Sequence, residues 1–308
     1  MKKVFVIIVT YNGQQWYKRC FDSLRASQIP VNVIVVDNSP NNETVDFISA
    51  NYPEIHLIKP AENLMFGRGN NLGIKYALEN NADFVLLLNQ DVWLIDENIV
   101  SELVRIATEN LDYGIISPIH LNKEQNSIEK LLLQRFVLSE QIDSWVKIND
   151  ELVNDLYFNS LKDIYQTKYV NAAAWFIPRK TLETVGGFDP IFYHYGEDDN
   201  YLNRLFYNNL KLGICPKLQI IHDNDRPRPI YDSREQQVLW LIEYTNINKE
   251  INIDKEIKNA RNKLITNTLK RNKQRSKYWN DLLNFLKLNK NQIMESRNIY
   301  KEKRKNFL

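Results

Sequence analysis

The chain of 308 residues holds only two cysteines, Cys20 and Cys215. Two thiols so far apart in sequence make neither a disulfide framework nor a metal knuckle, and their scarcity agrees with a reducing compartment. Long apolar runs are also missing: no stretch approaches the roughly 20 residues a membrane-spanning helix needs. Lys2 and Lys3 precede only Val4 to Val9, and Thr10, Tyr11 and Asn12 follow, without the length or cleavage pattern of a signal peptide. These absences predict a cytoplasmic protein. The first apolar run is followed by no glycine fingerprint, which argues against a Rossmann dehydrogenase, and by no basic glycine-rich loop, which argues against a nucleotidyltransferase. There is no internal repeat. The 44% hydrophobic and 25% charged content is that of a soluble globular chain able to bury a large core.

Net charge is +2, yet it is unevenly spread. From Lys249 to Leu308 there are 17 basic and 6 acidic residues, whereas residues 1 to 248 carry 23 basic and 32 acidic ones. An acidic body lacks the positive face that phosphate backbones require, so nucleic acid is excluded as a partner.

Apolar runs that stop on polar residues organise the first half. Val4 to Val9 predicts a buried strand ending on Thr10, Tyr11, Asn12 and Gly13, and a helix from about Gln15 to Ala26 follows, burying Trp16, Cys20 and Leu24. Val31 to Val36 predicts a second strand ending on Asp37, Asn38 and Ser39, where Ser39 reads as a cap for a helix near Thr44 to Asn51. His56 to Ile58 is a short third strand. Gly67, Gly69 and Gly73 have the wrong spacing and place for a dinucleotide fingerprint; they predict a glycine-rich lead into a helix over Asn71 to Glu79, with Arg68 and backbone N–H groups available to an anion. Phe84 to Leu88 is uninterrupted and apolar, as in a strand of a parallel sheet covered on both faces, and it runs into Asn89, Gln90 and Asp91. In open α/β sheets the carboxyl ends of strands face the ligand crevice, so Asp91 stands where a substrate or metal would sit.

The second half repeats the theme less regularly. Val170 to Ile177 predicts a strand whose small residues Ala172, Ala173 and Ala174 let a ligand approach; Trp175 suits either a sugar face or the core. Gly186, Gly187, Phe188 and Asp189 form a turn between a helix over Lys180 to Val185 and a loop over Phe192 to Gly196. Glu197, Asp198 and Asp199 then open a helix running toward Asn209. Their crowding raises at least one carboxyl pKa, which suits a general base, while the helix dipole alone also favours acids there. His222 follows Leu218 to Ile221 at another strand end, with Asp223, Asp225 and Arg226 around it.

Thr10 Tyr11 Asn12, Asp37 Asn38 Ser39, Asn63 to Gly73, Asn89 Gln90 Asp91, Asn171 to Trp175, Gly186 to Asp189, Gly196 Glu197 Asp198 and His222, in this order, resemble the motifs of the large inverting GT-A glycosyltransferase family 2, which includes rhamnosyltransferases. The resemblance covers about residues 3 to 225. It implies an α/β GT-A fold with a mostly parallel central sheet flanked by helices: a catalytic domain over 1–232, with a nucleotide-sugar half over 1–110 and an acceptor half over 111–232, then a helical extension over 233–308.

The resemblance also implies a site. Thr10, Tyr11, Asn12, Asp37, Asn38, Asn63, Arg68, Asn71, Asn89 and Gln90 bind a dTDP- or UDP-linked sugar. Asp91 matches the last acid of the family's Asp-X-Asp signature and, with His222, holds Mn²⁺ or Mg²⁺ on the diphosphate. Asn89 replaces the first acid, so the cation site carries one charge less. The segment Glu197 to Arg204 matches the pattern that makes Asp198 the base, with Glu197 positioning the acceptor and Asn200 in place of an acid; Trp175 and Tyr195 fall on the acceptor side. The expected activity is transfer to a saccharide or lipid-linked saccharide in bacterial surface polysaccharide assembly. The losses of carboxylate at Asn89 and Asn200 keep a catalytically silent nucleotide-sugar scaffold as one alternative, and a nucleotidyltransferase is the nearest enzymatic one. Asn122 to Thr167 matches the family least, and such insertions select acceptors.

Beyond Ser233 the sequence turns to Asn, Lys, Arg and aliphatics at helical spacing, in Val238, Leu239 and Ile242 and in Trp279, Leu282, Leu283 and Leu286. One reading is a helical extension packed by its apolar side. The other is a peripheral contact with the inner face of the cell membrane, through basic residues with Tyr278, Trp279, Phe285 and Phe307.

Overall fold

The structure is a computed structural model and describes residues 2–129, 151–152, 154–155, 158–224, 233–301 and 307–308. Asp225 and Arg226, and much of the 122–167 segment, lie outside the described residues.

The chain opens with β1 (Val4–Thr10), α1 (Gln14–Arg25), β2 (Val31–Asp37), α2 (Glu43–Asn51), β3 (His56–Ile58), α3 (Met65–Glu79) and β4 (Phe84–Leu88). There follow β5 (Val92–Leu94), α4 (Ile99–Glu109), β6 (Tyr113–Leu121), β7 (Tyr165–Thr167), β8 (Ala174–Pro178), α5 (Arg179–Val185), α6 (Glu197–Tyr207) and β9 (Lys211–His222). Three helices close it: α7 (Ser233–Thr245), α8 (Ile253–Leu269) and α9 (Lys273–Lys301).

One sheet runs β3-β2-β1-β4-β8-β6-β9-β5, with β7 on β9. The expectation of a mostly parallel sheet holds for its first half, where β3, β2, β1 and β4 are parallel. Beyond β4 the sheet is mixed: β8 is antiparallel to β4 and β6, β9 is parallel to β6, and β5 and β7 are antiparallel to β9. The strand of small residues is shorter than its apolar run, because 170–173 is loop and pairing begins only at Ala174.

Alternation along β1 supplies two layers of core. Val4, Val6 and Ile8 meet Tyr17, Phe21 and Leu24 of α1 and Leu103 of α4, while Phe5 and Ile7 meet Ile74 and Ala77 of α3 on the other face. Helix α3 starts six residues before the expected Asn71. Gly67, Gly69 and Gly73 are buried in it, and a Cβ on Gly73 would stand 2.5 Å from Ile7 Cγ2, so here the glycines let the helix lie close on β1. Nor is Ser39 a helix cap; no side chain caps α2, and Ser39 serves the end of β2 instead.

The C-terminal helices bury a third core of Trp240, Tyr244, Ile253, Leu282, Leu283, Phe285 and Leu286, packed with Ile191. On α7 the apolar side is Trp240 and Tyr244; Leu239 is exposed. Of the aromatics proposed for a membrane, Phe285 is buried, Trp279 packs on this core, Tyr278 lies edge-on to Trp240, and Phe307 to Tyr300. At its far end α9 fastens the turn before α6 and α6 itself. Ser296 Oγ and Tyr300 OH donate to buried Asp189 Oδ2 at 2.6 and 2.5 Å, and the Tyr300 ring lies 4.8 Å from the Arg204 guanidinium.

Candidate active site

The ends of β1 and β2 are in register, Thr10 beside Asp37. Asp37 is fully buried: its Oδ1 accepts from Thr10 Oγ1 (2.9 Å), Ser39 Oγ (2.6 Å) and Ser39 N (3.1 Å), and its Oδ2 from Lys59 Nζ (2.7 Å). A buried carboxylate persists only when paired and bonded in this way. Lys59 also donates to the carbonyls of Ser39 and Asn41. The sequence reading missed it, although it directly follows β3 and the strand-end argument applies to it equally. Next to this pair Asn12, at φ +46°, donates its N–H to Ser39 Oγ, and the ring of Tyr11 is exposed.

Several amides expected on the donor are spent on the chain itself. Gln90 Oε1 accepts from Tyr11 N (3.0 Å) and its Nε2 donates to Tyr11 O (3.2 Å), so it clamps the β1 loop. Asn38 accepts from Leu64 N and donates to Met65 O, Asn63 Oδ1 accepts from Met65 N, and Asn71 bonds both the N–H and the carbonyl of Phe188. Sequence alone cannot tell an amide aimed at ligand from one holding the loop that meets ligand. Asn89 differs: its backbone N–H donates to Ala173 O, while its half-buried side chain makes no hydrogen bond among the described residues. Arg68 stays partly exposed, 3.7 Å from Glu62 and over the ring of Tyr193.

At the end of β4, Asp91 is 9% exposed and its Oδ1 lies 3.6 Å from His222 Nε2. Asp91 O accepts from Asp223 N, and Asp223 in turn takes Trp16 Nε1 and Lys123 Nζ, each at 3.0 Å. The other face of the His222 ring meets Glu129, whose Oε2 is 3.4 Å from His222 Nδ1 and 3.8 Å from His120 Nδ1. All three side chains are buried. Burial would raise Glu129, but the two imidazoles outweigh it and hold that carboxyl well below its ordinary value. Burial would lower His222, but Glu129, Asp91 and Asp223 raise it; burial dominates at His120 and lowers it. Glu129 sits in the segment that matches the family motifs least and His120 just before it on β6, so no motif flagged them.

Helix α6 begins after two left-handed residues, Tyr195 (φ +69°) and Gly196 (φ +86°). Glu197 is buried, its Oε2 lacks a hydrogen-bond partner among the described residues, and burial followed by the charges of Asp198 and Asp199 pushes its carboxyl up to about 8. Asp198 is half-buried and accepts from Tyr169 OH at 3.1 Å and from Asp199 N at 3.0 Å. Asn200 is no acid substitute facing ligand: it donates to Thr245 Oγ1 and accepts from Arg204 Nε. Trp175 is fully buried, donates to Val170 O and packs with Phe188 and Tyr201, so it belongs to the core and cannot stack on a sugar. Tyr195 is 61% exposed, with the His194 ring 3.9 Å away.

One short segment ties these groups together. Tyr169 reaches Asp198, Asn171 Nδ2 donates to Glu129 Oε2, and Ala173 O accepts from Asn89 N. An α/β sheet whose strand ends carry a bonded acid, a carboxylate–imidazole pair and an acidic helix start has the architecture of a GT-A-type glycosyltransferase. The chain belongs to glycosyl transferase family 2, whose model matches residues 5–168, and it is a glycosyltransferase. It is similar to the low-salt glycan biosynthesis hexosyltransferase Agl10 of Haloferax volcanii, with 27% identity over 235 residues, 76% of this chain and 71% of that protein. It is similar also to the rhamnosyltransferase WbbL of Escherichia coli, with 24% identity over 231 residues, 71% of this chain and 83% of that protein. Among solved structures its fold matches GalNAc-T7 with UDP, GalNAc and Mn²⁺ at a TM-score of 0.56 and 14% identity, over 78% of this chain and 48% of that one. Among the described residues no helix is long and apolar enough to cross a membrane.

Proposed function

We propose that this glycosyltransferase is metal-dependent and inverting, and moves a sugar from a dTDP- or UDP-linked donor to a saccharide or lipid-linked saccharide in bacterial polysaccharide assembly. In this reading residues 1–110 hold the donor, 111–232 the acceptor, and 233–308 form the helical extension. The observation that carries it is the 169–173 segment, which joins Asp198, through Tyr169, to the Asn89–Asp91 strand end, through Ala173. Base and leaving-group site are thereby braced by one stretch of backbone.

Asp198 is the base. It takes the proton of the acceptor hydroxyl as that oxygen attacks the anomeric carbon in line with the departing diphosphate. Tyr169 OH orients its carboxylate. Glu197, at about 8, is largely protonated at neutral pH, which disqualifies it as the acceptor of that proton and equips it to donate a hydrogen bond. Asp91 and His222 would hold Mn²⁺ or Mg²⁺; their 3.6 Å separation fits two ligands of one ion at bonds of about 2.1 Å, and an imidazole beside a carboxylate favours Mn²⁺. Such a cation, when bound, supplies positive charge against the diphosphate. The side chain of Asn89 is left to hydrogen-bond a donor hydroxyl.

The extension supports contact with an anionic lipid surface. Residues 257–280 hold eight basic residues and no acid, all eight exposed and none in an ion pair among the described residues. Leu269, at the turn between α8 and α9, is 79% exposed in their midst. Cations around an exposed aliphatic suit headgroups and the acyl boundary beneath them.

Asp198→Asn tests the central role. Turnover with a nucleotide-sugar donor should fall by about 10²- to 10⁴-fold while nucleotide binding persists; unchanged turnover would reject Asp198 as the base.

A further inference from the structure

An imidazole that ligates a cation through one nitrogen needs its other nitrogen protonated and held, a service usually given by a carboxylate, carbonyl or water. Around His222 the two nitrogens have distinct surroundings: Nε2 faces Asp91 Oδ1 at 3.6 Å and Nδ1 faces Glu129 Oε2 at 3.4 Å. Nδ1 is buried and has no hydrogen-bond partner of full geometry among the described residues; Glu129 Oε2, at 3.4 Å, is the carboxylate oxygen it faces. Glu129 is itself fixed. Its N–H donates to His120 O at 2.8 Å, Asn171 Nδ2 donates to Oε2 at 3.2 Å, and Asn224 Nδ2 approaches Oε1 at 3.4 Å. A buried carboxylate so placed serves no surface or solubility purpose, and leaving it there without a positive partner is costly.

We propose that Glu129 is a positioning residue for the cation site: it holds His222 as the Nδ1–H form, which leaves Nε2 as a lone-pair ligand beside Asp91. It also returns to the site the negative charge that Asn89 does not supply, from a segment outside the family's motifs. This rests on the metal reading of Asp91 and His222 and names the residue on which that reading depends. His120 stands behind the pair: its Nε2 is 3.1 Å from Ser117 Oγ, and its Nδ1 is 3.8 Å from Glu129 Oε2. That is beyond hydrogen-bond distance, so His222, at 3.4 Å, is the imidazole nearer the Glu129 carboxylate.

The test has two readouts on the full chain. The first is long-range ¹H–¹⁵N NMR of the imidazoles without metal, at a pH where they are neutral, which four histidines make tractable. Wild type should show His222 protonated on Nδ1, and Glu129→Gln should shift it toward Nε2–H or a mixture, with Glu129→Asp restoring part of the wild-type signature. A His222 protonated on Nε2 in wild type, or unchanged in Glu129→Gln, overturns the proposal. The second is Mn²⁺ affinity by electron paramagnetic resonance with UDP present. Glu129→Gln should weaken it roughly 10- to 100-fold, as loss of an outer partner does, and less than Asp91→Asn does. A cation kept by Asp91→Asn and lost by Glu129→Gln would place the ion directly among His120, Glu129 and His222, whose ligand atoms all lie within 4.8 Å of one another, and would also overturn it. Failure of wild type to bind Mn²⁺ at all would count against the metal reading, and the metal-free NMR result would still decide the role of Glu129.

Discussion

Replacing Glu197 by Gln should stabilise the protein at alkaline pH and leave its stability nearly unchanged at acid pH. The side chain is 6% exposed, and its carboxyl rises from an ordinary 4.5 to about 8, first through burial and then through Asp198 and Asp199. Between those values the folded state holds a proton that the unfolded state has released, so stability falls as pH rises through that window and the loss is complete above about 8. At about 1.4 kcal/mol per pH unit the full loss is at most roughly 5 kcal/mol, and relaxation or water at the carboxylate reduces it to about 2–4 kcal/mol. Gln keeps the shape and never ionises. Urea unfolding at about pH 5 and pH 8.5 should give a variant close to wild type in the first condition and about 2–4 kcal/mol more stable in the second. An advantage of equal size at both pH values would refute the reasoning, because it would owe nothing to ionisation.

Two further outcomes follow from packing and charge. Gly73→Ala places a Cβ 2.5 Å from Ile7 Cγ2 in a filled core and should cost about 1–3 kcal/mol in urea unfolding; a neutral result would mean that α3 can move off β1. Reversing Lys270, Arg271, Lys273 and Arg275 to Glu removes four cations worth about 1 kcal/mol each near an anionic surface, so flotation with phosphatidylglycerol vesicles should fall by roughly 10³-fold. Wild type that floats equally with neutral vesicles, or with neither kind, would end the lipid reading.

The strand ends were legible in the sequence because a sheet covered on both faces writes its strands as apolar runs, and what interrupts such a run lies at the crevice. Val4–Thr10, Val31–Asp37, His56–Ile58 and Phe84–Leu88 were found in this way, as was the acidic start of α6. The uses of the polar side chains were not legible. Gln90, Asn38, Asn63 and Asn71 bond backbone within loops, and only the folded distances reveal it. Trp175 was undecidable because small neighbours occur both at ligand sites and in tight cores. Lys59 was within reach of the strand-end rule. Glu129 and His120 were not, since they gain significance only by meeting His222 across the sheet. The parallel expectation failed past β4 because short strands such as β5 and β7 carry no mark of direction.

The most direct test of the account is calorimetric titration of the full chain with dTDP, UDP and their sugar conjugates, in Mn²⁺, in Mg²⁺ and in chelator. The account predicts binding of one nucleotide class that strengthens with Mn²⁺ and weakens in chelator and in Asp91→Asn. Absence of nucleotide binding under every condition would contradict it, and binding indifferent to metal would contradict the place given to Asp91 and His222.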